Sequence, residues 1–141
     1  MKKIVFLSLF GLALCSCSDD DDGTSMGNCD LGTVISESRF NDAPSDALTI
    51  NTLSVEGDCL MINFSAGGCD GSSWEIVLID SGAILESDPP QRNLRLSLNN
   101  EELCAAIVQR ELTFDISNLR VEGNQVRLNL VNSEDSVLYS Y

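Results

Sequence analysis

Apolar and polar residues alternate along much of the chain from about residue 48 onward. In "LMINF", Leu60, Ile62 and Phe64 share one face, and in "NLRLSL", Leu94, Leu96 and Leu98 do the same, with Arg95 and Ser97 opposite. "VRLNL" repeats the pattern with Val126, Leu128 and Leu130, and "VLYSY" closes it with Val137, Tyr139 and Tyr141. Strict period two separated by turn residues predicts antiparallel strands with one buried face. "WEIVLI" differs, because Trp74, Ile76 and Leu78 oppose Glu75, Val77 and Ile79, so both of its faces carry apolar side chains.

Two segments echo each other. "LTINTLSVEGDCLMINFS" (48–65) and "FDISNLRVEGNQVRLNLV" (114–131) align without gaps and share six of 18 residues. Each predicts a strand, a Glu-Gly turn and an alternating strand, with Gly57 and Gly123 supplying the positive φ that tight hairpins need. The two segments are expected at equivalent places in a two-sheet structure. The stretch 99–112, "NNEELCAAIVQREL", carries helix signals in its asparagines, Glu101 and Glu102. A strand is the preferred reading there, because it sets Cys104 across from the Gly67-Gly68-Cys69 turn; a short helix is the alternative.

About nine short strands in residues 29–141 predict one all-β domain, an antiparallel β-sandwich. Trp74, lying between cysteines, resembles the core tryptophan of immunoglobulin domains, which implies an immunoglobulin-like sandwich. Uncharacterised β-sandwich lipoproteins are similar in class.

The first residues follow another pattern. Lys2 and Lys3 precede an apolar run, Ile4 to Leu14, too short to span a bilayer, which takes roughly 20 helical residues. This pattern predicts a secretory signal, and Leu14-Cys15-Ser16-Cys17 resembles the lipobox of bacterial lipoproteins. The resemblance implies cleavage after Ser16, leaving Cys17 as the lipidated first residue, with diacylglycerol and an amide-linked acyl chain such as palmitate. Several acyl chains anchor stably where one binds marginally. The following "SDDDD" resembles the acidic export tag of Bacteroidetes lipoproteins, which implies a lipid-anchored, surface-exposed place on the bacterial outer membrane. Residues 17–28 have no apolar period, and four adjacent aspartates repel one another, so an acidic flexible tether is expected before the domain. Asp135-Ser136-Val137 resembles the three-residue O-glycosylation signal of exported Bacteroidetes proteins.

Cleavage changes the composition. Both lysines leave with residues 1–16, so the mature chain keeps six arginines against 22 acidic residues, a net charge of −16, with no histidine. Such a surface repels nucleic acid and anionic lipid headgroups. Of six cysteines, Cys29, Cys59, Cys69 and Cys104 remain for disulfides, as is usual in an exported domain. Cys59 opens a strand running to about Ser65, roughly 20 Å at ~3.3 Å per residue. The short return to Cys69 cannot bring it within the ~7 Å Cα limit of a disulfide. Cys59 is therefore expected to pair with Cys29 or Cys104, and the arrangement taken is Cys29–Cys59 with Cys69–Cys104.

The composition also limits chemistry. Without histidine there is no Ser-His or Cys-His pair, and without mature lysine no Ser-Lys dyad or Schiff base. No cofactor motif and no metal-ligand spacing occur, and no carboxylate pair is singled out for glycoside hydrolysis. The expectation is a non-enzymatic surface lipoprotein, a binding or accessory module for a protein or glycan. "AGGCDGSSWE" (66–75) offers the candidate binding loop, with Asp70, Ser72, Ser73 and Trp74. The alternative is an inhibitor of a protease or other hydrolase, presenting the loops 66–73 or 87–93.

Overall fold

A computed structural model describes residues 27–141; the expected signal segment 1–16, Cys17 and the acidic run 19–22 lie outside the described residues. Eight strands form one sheet: β1 (Leu31–Ile35), β2 (Thr49–Glu56), β3 (Cys59–Gly68), β4 (Glu75–Leu85), β5 (Gln91–Asn99), β6 (Ala106–Asp115), β7 (Gln125–Leu130) and β8 (Ser136–Ser140). Their order across the sheet is β2-β3-β6-β1-β4-β5-β7-β8, and the sheet curls until its ends approach, nearly closing a barrel. The all-β class and two disulfides expected from the sequence are present.

The strictly antiparallel arrangement is corrected at three pairings. β1 runs parallel to both its neighbours, β4 and β6, and β5 runs parallel to β7. Period-two alternation fixes which face a residue occupies but says nothing of strand direction, which depends on how distant segments meet. The two echoing segments also part company. Residues 48–65 form the true hairpin β2–β3, turning at Gly57 with φ 60°. In 114–131 the first half ends β6 and enters a 3-10 turn, Ser117–Leu119, while β7 pairs with β5 and β8 instead. Gly123 still adopts positive φ, 103°, but it opens β7 rather than closing a hairpin.

The predicted inward faces meet in a single core. Leu60, Ile62, Phe64, Leu94, Leu96, Leu98, Val126, Leu128, Leu130 and Tyr139 are all essentially inaccessible. Full burial of each such aliphatic or aromatic side chain contributes about 1.5–3 kcal/mol relative to exposure. Tyr139 carries its hydroxyl out to the β2–β3 turn, where it donates to Asp58 Oδ1 at 2.5 Å and accepts from Arg120 Nε at 3.0 Å. Arg120 also donates to Asp58 at 2.7 Å, so this cluster fastens β8 to the hairpin that contains β2, the opposite end of the sheet order. The Tyr139 and Arg120 bonds hold Asp58 below the usual carboxylate range.

The outer faces of β4 and β5 are covered as well. A six-residue helix, α1 (Glu37–Asp42), is capped by Ser36, whose Oγ accepts from the Arg39 amide, and it packs on β4. Its exit chain takes up Ser97, which donates to the Pro44 carbonyl at 2.7 Å, and Arg95, which donates to the Ala43 carbonyl. Ser97, expected outward and wet, is thus buried at 3% exposure. Inside the sheet, the β4 bulge between Asp80 and Ile84 places Asp80 Oδ1 2.9 Å from Arg92 Nη1, with both side chains buried.

Candidate functional site

Loop 69–73 follows β3 and is crosslinked to the segment leading into β6. Cys69 bonds to Cys104 with Cα atoms 4.8 Å apart, and Cys29 bonds to Cys59 at 5.7 Å, which are the two pairings expected from the sequence. Residues 106–115 are strand, and Ala106 pairs with Gly68, so no helix forms there and Cys104 lies two residues before the strand.

Glu102 organises the loop. Its Oε1 accepts from the backbone amides of Cys69 (2.6 Å), Asp70 (3.0 Å) and Gly71 (3.0 Å), and its Oε2 accepts from the Ser73 hydroxyl at 2.9 Å. Three successive amides converging on one point make a concave anion site, and the chain fills it with its own carboxylate. Gly71 adopts φ 73° to turn its amide inward, and an added Cβ there would press on the Trp74 ring at 3.1 Å. At Gly68 a Cβ would meet Glu102 Oε1 at 2.9 Å. These glycines therefore make room for the carboxylate and the indole.

The amide of Gly71 first, then those of Asp70 and Cys69, hold the Glu102 carboxyl well below its ordinary value, down to about 2. Because its folded value is depressed, its contribution to stability is present above the unfolded value near 4.5 and is lost as pH falls through about 2. We expect the Gly71 amide shift, followed by NMR, to titrate with a midpoint near 2; a midpoint near 4.5 would show the carboxylate free of the loop.

The candidate binding residues are brought together, but their polar groups face one another. Asp70 Oδ1 accepts from the Ser72 amide (2.9 Å) and hydroxyl (2.7 Å), which also lowers the Asp70 carboxyl below its ordinary range. Ser73 is bound to Glu102. Trp74 is 7% exposed, its ring centroid 6.1 Å from that of Phe64, and so presents no open face for a sugar to stack on. Arg110 completes the support by donating to the Gly71 carbonyl at 2.9 Å. Among the described residues no group of three or more His, Cys, Asp or Glu side chains forms a metal-binding cluster.

The segment 100–105 held against this loop has a different surface. It contains neither turn nor bend, so the chain runs extended between β5 and β6. Asn100 fixes its start: the Asn100 amide donates to Asp46 Oδ2, its side-chain nitrogen to the Gly67 carbonyl at 2.6 Å, and its Oδ1 accepts from the Glu102 amide. Glu102 and Cys104 both reach toward loop 69–73, and in an extended chain the residue between them must project the other way. That residue is Leu103, and it is 97% exposed. Ile107, opposite Gly67 in the β3–β6 ladder, is 77% exposed. The sequence does not single out Leu103, because a strand over 99–112 makes it an ordinary alternating position. The available signal was the pattern Glu-Leu-Cys, an apolar residue directly before a cysteine expected in a disulfide.

No protein-family model matches the chain, and no curated protein matches it. Two solved structures are similar. A protein of Parabacteroides distasonis ATCC 8503 described as toxin-related aligns with a TM-score of 0.54 at 17% identity, over 79% of this chain and 60% of that one. A protein of unknown function from Bacteroides vulgatus ATCC 8482 aligns with a TM-score of 0.49 at 17% identity, over 79% and 55% respectively. The chain thus spans little more than half the length of either neighbour, and the first likeness concerns the fold alone.

Proposed function

We propose that this chain is a lipid-anchored, surface-exposed, non-enzymatic binding or accessory module of the bacterial envelope, tethered through Cys17 to the outer membrane and acting on a protein partner. The observation that carries the binding role is Leu103, an apolar side chain 97% exposed on a segment held from both sides. A loose apolar tip is a liability, whereas a fixed one is suited to fill a partner's pocket at small entropic cost. The absence of histidine and of mature lysine supports a non-catalytic role. In the fold, β1 is shared between a β2-β3-β6 side and a β4-β5-β7-β8 side that face across one core, and this supports a sandwich-like description of the nearly closed sheet.

The tether is tested on cells. Replacing Cys17 with alanine should release the chain from membranes and abolish fatty-acid labelling, and globomycin should block processing of the unmutated chain. An antibody raised against the domain should label intact cells. Membrane attachment that survives the Cys17→Ala change would contradict the anchor.

A further inference from the structure

We propose that segment 100–105 is a substrate-like inhibitory loop that occupies the cleft of a serine peptidase with an apolar specificity pocket, with Leu103 as the inserted side chain. The inference deepens the binding-module reading and rests on it. Loops 66–73 and 87–93 do not suit such a role: Trp74 is buried behind 66–73, and Pro89 and Pro90 are half-buried where β5 begins.

Peptidase clefts take an extended backbone as an added strand and read one side chain in a specificity pocket. Residues 100–105 are extended, and Leu103, 97% exposed, projects between Glu102 and Cys104, whose side chains are both bonded to loop 69–73. Ala105 and Ala106, on the far side of the Leu103–Cys104 bond, are small and exposed and would not obstruct a cleft wall.

The segment is fixed independently on each side of that bond. Before it stand the four hydrogen bonds of Glu102 and those of Asn100; after it stand the Cys69–Cys104 disulfide and the pairing of Ala106 with Gly68. Binding therefore orders little that is not ordered already. Hydrolysis, in which water would add to give a Leu103 carboxylate and a Cys104 amine, would leave both new ends fastened to loop 69–73, so little chain freedom would be gained and resynthesis would compete. Two other occupants fit worse. A membrane surface repels the acidic chain, and a second copy of the anchored chain, with 22 acidic residues against six arginines, repels it too. A peptidase with a cationic cleft rim would be attracted to it.

The experiment titrates the full chain, in detergent, into chymotrypsin, whose pocket is an apolar slot, and into trypsin, whose pocket holds a carboxylate, and follows hydrolysis of a chromogenic peptide. The full chain should inhibit chymotrypsin competitively at micromolar or lower concentration and leave trypsin active. Leu103→Ala should weaken chymotrypsin inhibition by about 30-fold or more, as for a central anchor. Leu103→Arg should move the inhibition from chymotrypsin to trypsin, and Glu102→Gln should turn the loop into a substrate cut after Leu103. Neither position belongs to the core, so the variants keep the fold, which circular dichroism verifies. No inhibition of chymotrypsin by the unmutated chain, or equal inhibition by Leu103→Ala, overturns the proposal. Were this to occur while Cys17-dependent surface display persisted, the inhibitory loop alone would fall and the anchored module would stand.

Discussion

Replacing Arg92 with methionine lowers the free energy of unfolding by about 3–5 kcal/mol, the usual cost of stranding one member of a buried ion pair. Arg92 Nη1 donates to Asp80 Oδ1 at 2.9 Å, and its Nε donates to the Leu119 carbonyl at 3.0 Å. Asp80 is 0% exposed, its Oδ1 also accepts from the Gly82 amide at 2.7 Å, and its Oδ2 has no partner among the described residues. Burial pushes the Asp80 carboxyl above its ordinary value even with the guanidinium beside it. A folded value above the unfolded one means that the folded state binds the proton more tightly. The associated cost appears as pH rises out of the ordinary carboxylate range and disappears below it. Without Arg92 the shift grows, so Arg92→Met should recover part of its lost stability on acidification. Adding Asp80→Leu should recover most of it at neutral pH, because an apolar pair leaves no orphaned charge. Urea unfolding of the three proteins at pH 7 and pH 5 measures all of this. An Arg92→Met midpoint unchanged from the unmutated chain would show that the pair is not buried as described.

Serine at both Cys69 and Cys104 costs about 3–4 kcal/mol, the chain-entropy value for a closed loop of the 35 residues separating them. The same change at Cys29 and Cys59, 30 residues apart, should cost nearly as much. What distinguishes the two is local. Losing Cys69–Cys104 leaves the end of segment 100–105 held only by the Ala106–Gly68 ladder, so amide exchange there should accelerate well beyond the global loss. Losing Cys29–Cys59 should leave segment 100–105 as protected as the lowered global stability allows. Equal exchange profiles for the two double variants would contradict the assignment of Cys69–Cys104 to that segment.

Much of the sheet was legible in the sequence for one reason: residues such as Leu60, Ile62 and Phe64 alternate against a single core, and alternation is a local property. Gly57 and Gly123 were legible because positive φ selects glycine wherever it occurs. Reach excluded one of the three disulfide pairings, since the length of β3 keeps Cys59 from Cys69, but it left Cys29 and Cys104 both open as partners of Cys59, and the structure pairs it with Cys29. What escaped depends on encounters between distant segments. The parallel partners of β1 leave no trace in "LGTVI", and six-residue α1 is too short for a periodic signal. Ser97 looks solvent-facing until the chain beyond α1 is laid over it. In the candidate site, Asp70, Ser72, Ser73 and Trp74 are neighbours in sequence and so could be grouped, but the group that shapes their loop, Glu102, lies 31 residues beyond Gly71. A turn of successive amides with no acceptor of its own was the one local hint that such a carboxylate must come from elsewhere.

The central claim is that Glu102 and the Cys69–Cys104 bond hold segment 100–105 rigid while Leu103 stands free. Native-state amide hydrogen exchange on the full chain tests it most directly. Strong protection is predicted for the amides of Cys69, Asp70 and Gly71 and for Glu102, whose amide is bonded to Asn100, with Leu103 itself open to solvent. Glu102→Gln should speed exchange at the three loop amides without changing that of the β3–β6 ladder. Rapid exchange at Cys69, Asp70 and Gly71 in the unmutated chain would contradict the account, because the exposed leucine would then sit on a loose loop.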